Sequence, residues 1–266
     1  MGLAHEVDYK IFGDDIQFVE IGLDYGETII AEPGAMMYMD SSIEMDTMFG
    51  DGSEKNKGFK GMLATAGKRV LTGENLFTAT FTNKGIDKKV VAFAAPYPGK
   101  IIPVNLPDFG GQLICQRDSY LCSAKGIEIS IAFQKKIGAG LFGGEGFIMQ
   151  RLVGNGFAFL HAGGTIIKKD LTSGEMLKLD TGCLVAFTQG VDYDVQMAGN
   201  VKSALFGGEG LFLATLRGPG TVWMQSLPFS RIADRIYSAS RKSGGSSKGE
   251  ASLLGNIGIG NLFGGD

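Results

Sequence analysis

The sequence predicts an all-β protein: three similar antiparallel β-sandwich units about a pseudo-threefold axis, followed by one short C-terminal helix and a glycine-rich tail. Three observations carry this. Glycine supplies 42 of 266 residues, with only 7 prolines and no three-residue period. That is roughly twice the usual share of about 7 %, and it points to many tight turns between short strands rather than to collagen. A block of sequence recurs at a fixed offset of 64 residues. Within each block apolar residues alternate with period two, the spacing of a strand with one covered face.

The repeat is anchored by Leu141-Phe-Gly-Gly-Glu-Gly146 and Leu205-Phe-Gly-Gly-Glu-Gly210. At the same offset Gly126-Ile-Glu-Ile-Ser130 matches Gly190-Val-Asp-Tyr-Asp194, and Gly110 matches Gly174. A more divergent copy lies 148 residues before the last one: Gly26-Glu27, Glu32 and Gly34 match Gly174-Glu175, Asp180 and Gly182. In this copy Leu71-Thr-Gly-Glu-Asn75 replaces the glycine-rich turn, and extra residues occur near 51–60, at 86–89 and at Tyr97-Pro98. The units therefore run at approximately 16–98, 99–162 and 163–228, as one domain over 1–228.

Alternation is clear in Gly126–Ala132 and in Gly146–Gly154, and Asn83-Lys-Gly85, Gly154-Asn-Gly156, Gly163-Gly164 and Gly218-Pro-Gly220 mark turns. No helix of adequate length separates the strands, so antiparallel pairing is expected over βαβ crossovers. After Leu227 the period changes. Phe229, Ile232, Ala233 and Ile236 fall on one stripe, predicting an amphipathic helix over 229–241. Residues 242–266 then read as a flexible, Gly/Ser-rich and finally apolar tail.

Charge is nearly balanced, 25 basic against 28 acidic residues, which argues against a nucleic-acid partner. No apolar run is long enough to span a bilayer, and the first residues lack a signal-peptide pattern. Three cysteines make no disulfide framework and suit a reducing cytoplasm.

Candidate site residues are few. His5 lies near the terminus, and His161 takes the place of Ala94 and Gln225 in the other units, so the position of His161 does not call for an imidazole. Cys115 aligns with Ala31 and Leu179, Cys122 with Tyr38 and Ala186, and Cys183 with Ala35 and Ser119. Small or apolar equivalents mark these as packed thiols. The glycine turns lack the Lys and the helix start that a phosphate loop needs. Glu74, Glu145 and Glu209 occupy equivalent places in the three units and are the candidate metal ligands, since converging carboxylates suit a hard cation. The plainer expectation is that each caps its own turn. Glu44, Glu128 and Asp192 are expected on a solvated face, as are the basic pairs Lys68-Arg69, Lys135-Lys136 and Lys168-Lys169; Trp223 is expected in the core.

The stretch Ala31-Glu-Pro-Gly-Ala-Met-Met-Tyr38, the two Leu-Phe-Gly-Gly-Glu-Gly turns and Gln225-Ser-Leu-Pro-Phe-Ser-Arg-Ile-Ala-Asp-Arg-Ile236 resemble the Altered Inheritance of Mitochondria protein 24 family, in its bacterial and archaeal branch. The resemblance covers roughly residues 5–240. It implies a fold similar to the tryptophan RNA-binding attenuation protein and no established catalytic activity; the basic RNA-binding motif of that protein has no counterpart here. Fungal relatives are mitochondrial.

The expected function is that of a non-enzymatic scaffold or assembly protein, without cofactor, working as a homo-oligomer in the cytoplasm. Its tail is expected to meet a protein partner or a membrane surface. The alternative is a small-ligand or cation-binding protein that uses the glycine turns and their glutamates.

Overall fold

The computed structural model describes residues 4–49, 77–135, 147–197 and 212–243. Nineteen strands precede one helix among these residues. After the leading strand β1 (Asp8–Phe12), each sequence unit supplies six strands. The first unit gives β2 (Phe18–Leu23), β3 (Thr28–Ala31), β4 (Met36–Met39), β5 (Ile43–Phe49), β6 (Phe77–Asn83) and β7 (Lys89–Ala94). The second gives β8 (Gly99–Asn105), β9 (Gln112–Gln116), β10 (Tyr120–Ala124), β11 (Glu128–Lys135), β12 (Phe147–Val153) and β13 (Phe157–Gly163). The third gives β14 (Ile166–Leu171), β15 (Met176–Asp180), β16 (Leu184–Thr188), β17 (Asp192–Met197), β18 (Phe212–Arg217) and β19 (Gly220–Gln225). Every pairing between them is antiparallel.

The sheets do not respect the unit boundaries. Within each unit the first, sixth and third strands form one three-stranded half, and the second, fifth and fourth form another. The second strand of one unit then pairs with the third strand of the next: β3 with β10, and β9 with β16. Two six-stranded sheets result, β5-β6-β3-β10-β13-β8 and β11-β12-β9-β16-β19-β14. The remaining halves stand as β1-β2-β7-β4 and β15-β18-β17.

Local sequence accounts for these elements. β2 alternates half-buried and buried side chains, whereas β10, in the middle of its six-stranded sheet, is buried at every residue. The third strand of every unit carries a bulge at the same place, between Met36 and Tyr38, Tyr120 and Cys122, and Leu184 and Ala186. Gly26, Gly110 and Gly174, aligned by the repeat, all take left-handed φ near +70 to +80°, at 81, 72 and 78°. Only glycine adopts that conformation without strain.

One core cluster gathers Phe81, Phe93, Phe159 and Trp223; a second gathers Phe147, Leu184, Phe187, Leu216 and Val222. Trp223 is buried as expected, 5.2 Å from the ring of Phe109 and with Lys168 Nζ 5.5 Å from its ring centre. Residues Met1–Pro228 form one compact unit. The second unit contains helix α1 (Phe229–Ser243), two residues longer than the periodicity suggested, with Phe229 and Ile236 of its apolar stripe exposed.

A Cβ at Gly174 would meet nothing within 4 Å, so its substitution is penalised by backbone conformation alone. Gly174→Ala should lower the unfolding free energy by about 1–2 kcal/mol, measured by urea denaturation. Gly99→Ala should cost more, because its Cβ would stand 2.3 Å from the carbonyl oxygen of Ala162.

Candidate functional site

Three of the buried polar side chains, Gln116, Ser119 and His161, belong to the second unit and leave side-chain atoms without a hydrogen-bond partner among the described residues. Ile114 and Cys115 are buried strand residues of β9, and the chain then turns through a short 3-10 helix, Arg117–Ser119, into the buried strand β10. That turn carries Arg117 and Asp118 at the surface, with Arg117 Nε 3.6 Å from Asp118 Oδ1. Gln116 stands just before it and Ser119 ends it, both buried.

Three further residues come to this turn from other elements. Glu32 follows β3, and its backbone N–H donates to the Leu121 carbonyl at 3.0 Å. Tyr97 lies in the loop before β8, with its hydroxyl 3.5 Å from the Asp118 carbonyl oxygen. His161, on β13, meets the Tyr97 ring edge-on with centroids 4.5 Å apart.

The electrostatics follow from this crowding. Glu32 keeps an exposed surface, yet protein packed around its carboxyl pushes its pKa up to about 7. The neighbouring Asp118 charge acts the same way and Arg117 opposes both. Tyr97 is held well above the usual phenol range by burial, then by the charges of Asp118 and Glu32. Burial pushes His161 down to about 4, so its imidazole is neutral at pH 7. It is 2 % exposed, and neither ring nitrogen has a hydrogen-bond partner among the described residues. Gln116 Oε1 and Ser119 Oγ share that condition.

The repeat explains how this site arose. Gln225, the counterpart of His161, accepts from the Gly163 N–H and donates to the Gly182 carbonyl, each at 2.8 Å. The counterparts of those groups near His161 belong to Gly99 and Asp118. An imidazole thus replaces a bridging amide. Glu32, Gln116 and Asp180 are likewise one position in three units; Asp180 Oδ1 accepts from the Gly182 N–H at 2.8 Å. Chemically, the cluster offers one carboxyl that exchanges a proton near neutrality and one neutral imidazole.

The residues singled out from sequence fare differently. Glu74, Glu145 and Glu209, with the turns that bear them, lie outside the described residues, as do Lys68, Arg69 and Lys136. Among the described residues no three His, Cys, Asp or Glu side chains gather as metal ligands. Cys115 and Cys122 are buried, with burial raising the Cys115 thiol to about 12 and Cys122 well above its ordinary value; Cys183 is half-buried, and none is in a disulfide. Glu44, Glu128 and Asp192 are exposed, and Glu44 faces Lys84 at 3.8 Å. Lys168 and Lys169 are exposed on β14, and Lys169 pairs with Glu175 at 2.9 Å. His5 is better placed than its position near the terminus suggested: Nδ1 accepts from the Thr28 N–H at 2.8 Å, and burial lowers its pKa. Sequence reasoning missed Glu32 and Tyr97 as a pair. The available signals were the Glu32–Asp180 match and the Tyr97-Pro98 insertion.

A family model for mitochondrial biogenesis AIM24 matches residues 9–227, all three strand units. The chain belongs to the AIM24 family. An uncharacterised protein from Streptococcus pyogenes serotype M6 is 28 % identical over 220 residues, covering 82 % of this chain and 84 % of the relative. The crystal structure of a Streptococcus pyogenes protein superposes with a TM-score of 0.70 at 21 % identity, covering 88 % of this chain and all of that one. The AIM24 chain thus shares its fold with that structure.

His161→Gln tests the repeat logic of this site. Between pH 6.5 and 4 the unfolded chain binds a proton that folded His161 refuses, so stability falls as pH drops through that window. The loss reaches roughly 3 kcal/mol at its acid end. Urea denaturation across this range should show a shallower acid loss in His161→Gln; an unchanged slope contradicts the assignment.

Proposed function

We propose that this AIM24-family chain is a non-enzymatic scaffold that works as a homo-oligomer joined through its sheet edges. The observation that supports this is the composition of β4. Eight strands end the four sheets among the described residues: β1, β4, β5, β8, β11, β14, β15 and β17. Seven carry a charge or a proline, the usual guards against unwanted pairing. β4, Met36-Met-Tyr-Met39, carries neither. Its Met37, Tyr38 and Met39 are 56, 41 and 36 % exposed. An unguarded apolar edge is suited to accepting a strand from another chain, with backbone hydrogen bonds giving affinity and alternate side chains giving specificity.

Two other features fit the same function. The exposed stripe of α1, with Phe229 and Ile236, offers a second contact to a protein partner or membrane surface. The three cysteines outside any disulfide fit a reducing cytoplasm. No described helix is long and apolar enough to cross a membrane.

The full chain should sediment as an oligomer at tens of micromolar. Lysine at both exposed methionines of the edge, Met37→Lys with Met39→Lys, should weaken that self-association by roughly tenfold or more, equivalent to about 1.4 kcal/mol, with an unchanged Tm. A parent chain that is monomeric at this concentration contradicts the scaffold assignment.

A further inference from the structure

Strand pairing between units is the same twice over. Where the first unit meets the second, Ala31 opposes Cys122, Ile30 opposes Ser123 and Ile29 opposes Ala124. Where the second meets the third, Cys115 opposes Ala186, Ile114 opposes Phe187 and Leu113 opposes Thr188. The sequence repeat maps one junction onto the other residue by residue. The two surplus strands of this scheme are β15, the second strand of the last unit, and β4, the third strand of the first. Both end their sheets. The sheets β1-β2-β7-β4 and β15-β18-β17 are therefore the two halves of a third sheet of the six-stranded kind, with β1 added at one edge.

Burial identifies what is missing. The bulge residue of the third strand is Leu121 in the second unit and Val185 in the third, 1 and 0 % exposed, beside a formed junction. Its counterpart in β4 is Met37, 56 % exposed. On the second strands Ala31 and Cys115 are fully buried, whereas their counterpart Leu179 is only half-buried and nearby Met176 is 53 % exposed. Both open edges carry the apolar side chains of a junction without its burial.

Resting on the scaffold assignment above, we propose that β15 of one copy pairs antiparallel with β4 of a second copy. The register follows from the two formed junctions: Leu179 opposite Tyr38, Lys178 opposite Met39 and Leu177 opposite Asp40. The occupant is a second copy because the third strand of a unit, paired on one side with the sixth strand of its own unit, takes on its other side the second strand of a neighbouring unit, and β4 and β15 of one chain end separate sheets instead of pairing with each other. The interface is heterologous, so each copy offers one edge of each kind and the assembly grows as a ring or an open filament.

The test uses two full-length chains in a Cys183→Ser background, one with Tyr38→Cys and one with Leu179→Cys, mixed in equal amounts and mildly oxidised. Opposed residues of an antiparallel pair bring their Cβ atoms within disulfide reach. A disulfide joining positions 38 and 179 of different chains, found by peptide mass mapping in the mixture and in neither chain alone, is the expected result. A persistent oligomer without that disulfide overturns the interface and leaves the scaffold assignment standing. A monomer overturns both, and an intrachain disulfide in a chain carrying both cysteines at monomer mass overturns pairing between copies. Should circular dichroism show that Tyr38→Cys fails to fold, Met39→Cys with Lys178→Cys tests the next opposed pair under the same outcomes.

Discussion

The fold depends on one constraint, that the polar edge of a β-strand must be paired or guarded. Each unit makes two three-stranded halves, and each half alone would leave an inner edge open. Neighbouring units resolve this for each other, β3 with β10 and β9 with β16. The pairing does more than satisfy backbone groups. It buries Ala31, Cys115, Cys122 and Ala186 completely and makes residues 1–228 one compact unit instead of three. The same constraint, unmet at β4, turns a stability requirement into a capacity for association.

Repetition also sets where chemistry can vary. The position that holds Gln225 in the third unit holds His161 in the second, and the position of Asp180 is Glu32 in the first. The amide at 225 makes both of its bonds, while the imbedded imidazole at 161 makes none that the described residues provide. Glu32, beside Asp118 and Arg117, is pushed up to about 7, whereas the half-buried Glu175, bonded to Thr172 and Lys169, is held down to about 2. One framework thus gives carboxyls of opposite behaviour, according to whether donors or crowding surround them.

Much of this was legible in the sequence. The offset of 64 residues located equivalent strands and turns, and the change of period after Leu227 announced the helix that begins at Phe229. Sheet membership was not legible, because alternation tells which face a residue takes and not which strand lies beside it. The sequence therefore delimits three similar sandwich units without showing that the sheets cross between them. The Glu32, Tyr97 and Arg117 cluster was hidden for a similar reason: 20 residues or more separate its members along the chain, and the loop bearing Tyr97 is an insertion with no counterpart in the other units. His5 was underrated because a terminal position in sequence says nothing about the Thr28 N–H that it meets.

Amide hydrogen exchange reports on strand edges directly, since only a paired edge protects its outward N–H groups. Exchange of peptides covering Met36–Met39 and Met176–Asp180, followed by mass spectrometry as protein concentration is raised, tests the account most closely. Protection should increase with concentration in both peptides together, while the proline- and lysine-bearing edge β8 stays unchanged. Exchange at β4 and β15 that does not depend on concentration would contradict assembly through these edges.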